Sequence, residues 1–278
     1  MIAKKIGSNI WKIFIFLMFS LYAFSILYPL AWMVISSLKT NSEFFTSPWG
    51  VPAAPQWKHY YEAVKFGVAD YFFNSVFVTI CTVIFSVLFS AMASYIISRF
   101  DFKLKNATFI FVLGGLMISP EVTLVSLFKL LQSLHIYNTL WALIIPYTAF
   151  RIPFTTFLMR SYMLSIPKAM EESAYIDGCS TFKVFSQIIM PVCKPIVASA
   201  ALLSAMSAWN EFMFALVFIE SNKYKTIPIG LTNLKGQYGT NYPRLMAALV
   251  VCASVMIILF LCFQKSFVRG LTAGSVKG

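Results

Sequence analysis

Four ionisable residues, Glu121, Lys129, Arg151 and Glu211, stand inside long apolar stretches of the chain. At the centre of a membrane helix each costs at least about 2.5 kcal/mol, so each should face an interior, a cavity or another subunit. Pro120 beside Glu121, and the pair Pro146 and Pro153 around Arg151, mark places where helices kink and expose carbonyls. Recognition of a substrate, or gating, is the chemistry this arrangement offers. Interhelical pairing is the plainer alternative, as is snorkelling for Lys129 near a span end. Other chemistry lacks its residues. Five cysteines (Cys81, Cys179, Cys193, Cys252, Cys262) show no CxxC spacing, and two histidines, His59 and His135, are too few for a zinc site. Neither a GxSxG, an HExxH nor a phosphate-binding loop is present, so no catalytic residues are expected.

The elements that must position these residues follow from composition. Of 278 residues 59% are apolar and 12% charged, against about 45–50% and 25% in a soluble domain. A soluble enzyme is thereby excluded. Six apolar runs of about 20 residues, at 13–36, 72–97, 107–131, 140–159, 195–219 and 245–263, predict an all-α, polytopic membrane protein with six transmembrane helices. The net charge of +12 is scattered between the runs, which points to membrane orientation and away from nucleic acid. With a cytoplasmic N-terminus, thirteen of the 22 basic residues fall on the inner side and seven on the outer. Both termini are therefore expected in the cytoplasm.

Three connections are long enough for a function. Residues 39–71, outside, carry Trp49, Pro52, Pro55 and Trp57 and read as a lid or interfacial anchor, with a short helix near 57–66. Residues 220–244, also outside, hold Pro228, Gly230, Gly236 and Gly239 and suit an ordered, bent loop. The cytoplasmic loop at about 160–194 is the most informative. Ser165 and Pro167 start a helix over 168–177, Gly178 stops it, and a second helix over 181–190 ends at Pro191 and Pro195. Within the first helix Glu172 is followed by the small residues Ser173 and Ala174, a pattern for close approach to another surface with a charge-pairing carboxylate. An amphipathic helix lying on the bilayer would share this mixed polarity.

Glu172, Ser173, Ala174, three residues, Gly178, nine residues, Ile188, one residue, Met190, Pro191 resembles the EAA signature of ABC importer permeases, with Ser173 and Met190 as conservative departures. The resemblance runs over nearly the whole chain. Asn74-Ser75, residues 119–122, Asn138-Thr139, Ile166-Pro167, Ile176-Asp177-Gly178, Trp209-Asn210-Glu211 and the closing 270–278 (GLTAGSVKG) are similar to the carbohydrate branch, of the MalG-like type. The resemblance implies the ABC type I importer permease fold, with an N-terminal tail, first helix and first outer loop at 1–71, a core at 72–264 and a cytoplasmic tail at 265–278.

It also implies a mechanism and partners: a second, related permease, two ATPase subunits docked on the EAA loops, an extracytoplasmic binding protein that delivers a sugar or oligosaccharide, and the bilayer of the cell membrane. This chain would bind no cofactor, ATP and magnesium lying on the ATPases. Glu172, Ser173, Ala174, Gly178, Ile188 and Pro191 would couple to the ATPase, and Gly270, Gly274, Lys277 and Gly278 would reach its interface. Gly230, Gly236 and Tyr242 would meet the binding protein. Glu121, Arg151, Asn210 and Glu211 are the candidate pathway residues. Arg151 is the specificity candidate, since with Lys129 it would be the counter-charge of an acidic saccharide. A glycerol-phosphate or polyamine permease is the rival within this class. A six-span secondary transporter or channel is the rival outside it, and would need no EAA loop. An intramembrane protease lacks its motif.

Overall fold

The structure is a computed structural model and describes residues 2–236 and 239–273. In chain order the helices are α1 (Ile2–Ser37), α2 (Asn41–Thr46), α3 (Lys58–Ala63), α4 (Ala69–Arg99), α5 (Lys105–Gly114), α6 (Pro120–Ser133), α7 (Trp141–Leu164) and α8 (Ala169–Ile176). There follow α9 (Thr181–Val184), which runs on through a π segment, Phe185–Ile189, into α10 (Met190–Val192), then α11 (Lys194–Asn210), α12 (Met213–Phe218), α13 (Ile227–Gly230) and α14 (Tyr242–Ala273). The fold is all-α apart from a two-residue antiparallel ladder of β1 (Lys235–Gly236) with β2 (Gly239–Thr240).

Four helical segments are long and apolar enough to cross a membrane: Trp11–Ser37, Ala69–Arg99, Trp141–Leu164 and Tyr242–Lys265. The third expected span bends at the Pro120 kink point, and the helix leading into the fifth span bends between Pro191 and Pro195, where the sequence ends it. Lys105–Met117 and Pro120–Ser133 meet at 97°, and Thr181–Val192 and Lys194–Asn210 at 78°. Sequence supplies the causes. Pro120 forces Ser119 into an extended conformation (φ −71°, ψ 130°) and starts a new helix. The second bend falls at Cys193, between Pro191 and Pro195, so Pro191 itself stays helical. A further break inside the expected fifth span lies at Glu211, also extended (φ −69°, ψ 130°).

The chain forms two compact units, Met1–Val68 with Asn233–Ala253, and Ala69–Thr232 with Ser254–Gly278. In the first, the tryptophan-rich connection is a packed knot. Lys39, 1% exposed, donates from Nζ to the carbonyls of Ser47 (2.9 Å) and Pro48 (2.7 Å). Trp32 Nε1 donates to Pro48 O (2.9 Å), and Trp49 stacks on Tyr28. Thr40 and Glu43 form a capping box at the start of α2: the Glu43 amide donates to Thr40 Oγ1 (3.2 Å) and the Thr40 amide to Glu43 Oε2 (2.8 Å).

The second unit is organised on α4. Ser75, Thr79, Thr82, Ser86, Ser90, Ser94 and Ser98, spaced by three or four residues, are all buried and so share one face of that helix. Small hydroxyl residues let membrane helices approach closely and hydrogen-bond across the contact. Ser90 Oγ donates to Ile152 O (3.2 Å) and Ser94 Oγ to Thr156 O (3.0 Å), both on α7, while Ser86 Oγ reaches Ser204 Oγ (3.4 Å) on α11.

Replacing Ser90 or Ser94 by Leu should destabilise the protein by about 1–3 kcal/mol through overpacking, read as a lower melting temperature in detergent. The same change at exposed Met92 should stay within about 0.5 kcal/mol. The backbone amides of Thr40 and Ala53 hold the Glu43 carboxyl below its ordinary value of 4.5. Its contribution is therefore fully present above pH 4.5 and is lost as the pH falls below it, a dependence that Glu43→Gln should remove from pH-dependent melting curves.

Candidate functional site

Three of the four intramembrane charges come together. Glu121 on α6, Arg151 on α7 and Glu211 between α11 and α12 line one cavity of about 370 Å³ in the second unit. Gly115, Tyr147, Phe150, Ser207 and Phe214 are also in its wall. Two helix breaks make room for it. At Gly115 a Cβ would lie 2.7 Å from Pro153 Cγ, so glycine is what allows α7 to approach there. At the other break, the Glu211 carboxylate accepts from the amides of Phe214 (2.8 Å) and Ala215 (3.2 Å) and from the Tyr147 hydroxyl. It thus satisfies the free amides where α12 restarts, a requirement that is strict wherever water is scarce.

The charges differ in what occupies them. Glu211 is bonded within its own unit, and Glu121 accepts from the Ser119 hydroxyl in the first turn of α6. Arg151 is half-buried, its Nε has no hydrogen-bond partner among the described residues, and its guanidinium carbon lies 5.0 Å from the centre of the Phe154 ring. That Nε is a charged donor to spare in the wall. Asn210 is not in the wall: its amide donates to Met206 O (2.9 Å) at the end of α11. Lys129, two turns farther along α6, is exposed and also outside the cavity.

The loop after α7 holds the second candidate cluster. α8 starts after Pro167 and ends before Gly178, whose φ of +78° is the left-handed conformation that glycine adopts without strain. Glu172 and Ser173 are exposed, whereas Ala174 is buried. Ile188 is half-buried and Pro191 exposed in the helical stretch that follows. The motif spacing does not mark Glu171. Its carboxylate is buried and 2.5 Å from Arg99 Nε, at the C-terminal end of α4. Its signal was the 3.6-residue period, which sets Glu171 on the same face as Ala174 and Tyr175.

The opposite end of α4 carries the third cluster. Asn74 Nδ2 donates to the carbonyls of Lys223 (2.8 Å) and Lys225 (2.9 Å), and the Ile227 amide donates to Ser75 Oγ (2.8 Å). Asn138, at φ +56°, accepts on Oδ1 from the amides of Glu220 (3.0 Å) and Ser221 (2.9 Å). Residues 220–227 are thereby fixed to the helix bundle. Gly230 lies buried where a Cβ would run into the Tyr71 ring, and Asn222 and Lys223 are exposed residues of that loop. Tyr242, 38% exposed, stacks on Phe44 in the first unit. Gly236 is the last residue of β1. Gly270 is buried, where a Cβ would lie 2.6 Å from Pro195 O, while Gly274, Lys277 and Gly278 lie outside the described residues.

Broken membrane helices around a polar cavity, with a helical loop beyond the membrane segments, define the class: a polytopic transport protein. Residues 1–273 match the family described as binding-protein-dependent transport system inner membrane component, and the chain belongs to that family. It is 46% identical over 271 residues to the probable ABC transporter permease protein YurM of Bacillus subtilis (98% of this chain, 89% of that protein). To the arabinooligosaccharides transport system permease protein AraQ of Halalkalibacterium halodurans it is 36% identical (94% of each chain). The trehalose/maltose transport system permease protein MalG of Thermococcus litoralis is also 36% identical (93% of this chain, 94% of that protein). Among solved structures, a subunit of a bacterial ABC transporter involved in the import of the acidic polysaccharide alginate superposes with a TM-score of 0.81 (19% identity, 94% of this chain and 98% of that one). The chain is accordingly a multi-pass membrane protein with an ABC importer permease fold.

The cap at the α11–α12 break is testable. Glu211→Ala should cost about 0.5–2 kcal/mol of stability, the ordinary worth of a lost helix cap, seen as a lower melting temperature in detergent. Glu121→Ala, whose carboxylate accepts from the neighbouring Ser119 hydroxyl, should cost less.

Proposed function

We propose that this chain is the membrane-spanning subunit of an ATP-driven importer that moves a sugar or oligosaccharide delivered by an extracytoplasmic binding protein. The observation that carries the reading is its likeness, over more than nine-tenths of each chain, to permeases named for arabinooligosaccharides and for trehalose and maltose. These relatives favour a sugar over glycerol phosphate or a polyamine, and an ATP-driven importer over a six-span secondary transporter or channel.

In this reading both termini and α8 face the cytoplasm, in keeping with the bias of basic residues. A second permease completes the pathway, and the cavity at Glu121, Arg151 and Glu211 forms this chain's share of it. Two ATPases carry ATP and magnesium. One docks on the exposed Glu172–Ser173 face of α8, with Gly178, Ile188 and Pro191 shaping the loop and the tail beyond Gly270 reaching the same partner. Closure of the ATPase pair displaces α8 and shifts the membrane helices between two arrangements, a rigid-body switch driven by differential binding. On the outside, the loop braced by Asn74, Ser75 and Asn138 meets the binding protein through exposed residues near Asn222, buried Gly230 helps to shape that loop, and Gly236 and Tyr242 are further candidates for the same contact.

The test uses the reconstituted complex in vesicles and uptake of labelled arabinooligosaccharide and maltose as probes. Uptake should require ATP and the binding protein and survive collapse of the proton gradient. Glu172→Ala should abolish uptake while the chain remains inserted, and Gly178→Val, strained at positive φ by about 1 kcal/mol or more, should weaken it. Undiminished uptake in both variants would contradict the docking role.

A further inference from the structure

The guanidinium of Arg99 holds two parts of the loop at once. Nη2 donates to Ile166 O (3.1 Å), just after α7, and Nε lies 2.5 Å from Glu171 Oε1 in the first turn of α8. The two side chains are 6% and 7% exposed. The other carboxylate oxygen of Glu171 accepts from the Tyr95 hydroxyl (3.3 Å), one turn back along α4. The Tyr95 ring in turn packs on Phe185, 5.0 Å between centres, in the helical stretch that leads to α11. α8 thus presents opposite faces. The Glu172 carboxylate is exposed with no hydrogen bond or ion pair among the described residues, while its neighbour Glu171 is sealed against α4.

That asymmetry has a mechanical meaning. Two desolvated charges in contact are hard to part, because each would be left buried without its counter-charge. A load applied to the exposed face of α8 must therefore either carry the end of α4 with it or break a buried ion pair. The branch of the Arg99 guanidinium to Ile166 closes the remaining slack by holding the residues just before α8.

We propose that Arg99 and Glu171 are positioning residues that make α8 and the C-terminal end of α4 a single rigid handle, so that displacement of α8 by a docked ATPase is passed to α4 and not absorbed in residues 165–180. The inference rests on the reading of α8 as the ATPase-facing helix.

The experiment uses the whole importer complex in lipid nanodiscs, with the five native cysteines replaced and one cysteine introduced at Ser207 in the cavity wall. Labelling of that cysteine by a maleimide is compared with and without ATP and vanadate, and ATP hydrolysis is measured on the same sample. In the Glu171→Gln and Arg99→Gln variants the nucleotide-dependent change in labelling should shrink by about tenfold relative to ATP hydrolysed, within the usual range of coupling between sites. Arg99→Lys, which keeps the charge, should rescue part of it, and Tyr95→Phe should lose a smaller part. An unchanged labelling response in Glu171→Gln and Arg99→Gln would overturn the proposal. Should those variants fail to assemble, the double variant Arg99→Met with Glu171→Leu removes both charges together and avoids an unpaired one. It should assemble and lose the response, and a full response there would equally overturn the proposal. A wild-type complex that shows no nucleotide-dependent labelling would instead defeat the coupling reading itself, and the proposal with it.

Discussion

The second unit depends on hydroxyl-to-carbonyl contact between α4 and α7. In hydrocarbon a helix gains little from exchanging lipid for the apolar side chain of a neighbour, so association has to come from close backbone approach and hydrogen bonds. The buried Ser and Thr face of α4 supplies both, with Ser90 and Ser94 bonded to backbone carbonyls of α7. Because that contact fixes the middle of α4, its two ends can serve as anchors. One end braces residues 220–227 through Asn74 and Ser75, and the other holds α8 through Arg99 and Tyr95. A single helix therefore links the loop expected to face the binding protein with the loop expected to face the ATPase.

The cavity obeys the same rule. A break in a membrane helix frees amides and carbonyls that water cannot satisfy, so it persists only where the protein provides partners. Glu211 provides them at the α11–α12 break, which explains one intramembrane carboxylate without a substrate. Arg151 has no such duty among the described residues, and this leaves it the wall residue best able to answer to what passes through. A bonded carboxylate and a guanidinium whose Nε has no hydrogen-bond partner among the described residues separate structural charge from available charge in one wall, a distinction that residue type alone does not make.

Much of this was legible in the sequence, and the remainder was hidden for definite reasons. Apolar run length located α1, α4, α7 and α14, and Pro167 and Gly178 bracketed α8, because both signals are local. Pro120, and the pair Pro191 and Pro195, marked the bends near Ser119 and Cys193, while the break at Glu211 escaped because apolar composition continues across it and a protein-lined break needs no polar run. The face of α4 escaped because Ser and Thr are nearly neutral on hydropathy scales, although their spacing of three and four from Ser75 to Ser98 is plain once sought. Glu171 escaped because a spacing motif marks Glu172 and says nothing of which face is buried. Its partner Arg99 is close only after folding. The gathering of Glu121, Arg151 and Glu211 in one cavity was likewise a product of tertiary structure, and the same fold turned Asn210 and Lys129 elsewhere.

The central claim is that α4, with the loops fixed to its two ends, moves as one body during the transport cycle. It is tested most directly by electron-electron distance measurement between spin labels at exposed Phe182 and exposed Lys223 in the assembled importer, with and without ATP and vanadate. The distance within this chain should stay the same, while that from either label to the partner permease changes. A nucleotide-dependent shift of the Phe182–Lys223 distance larger than the breadth of the label distribution would contradict it.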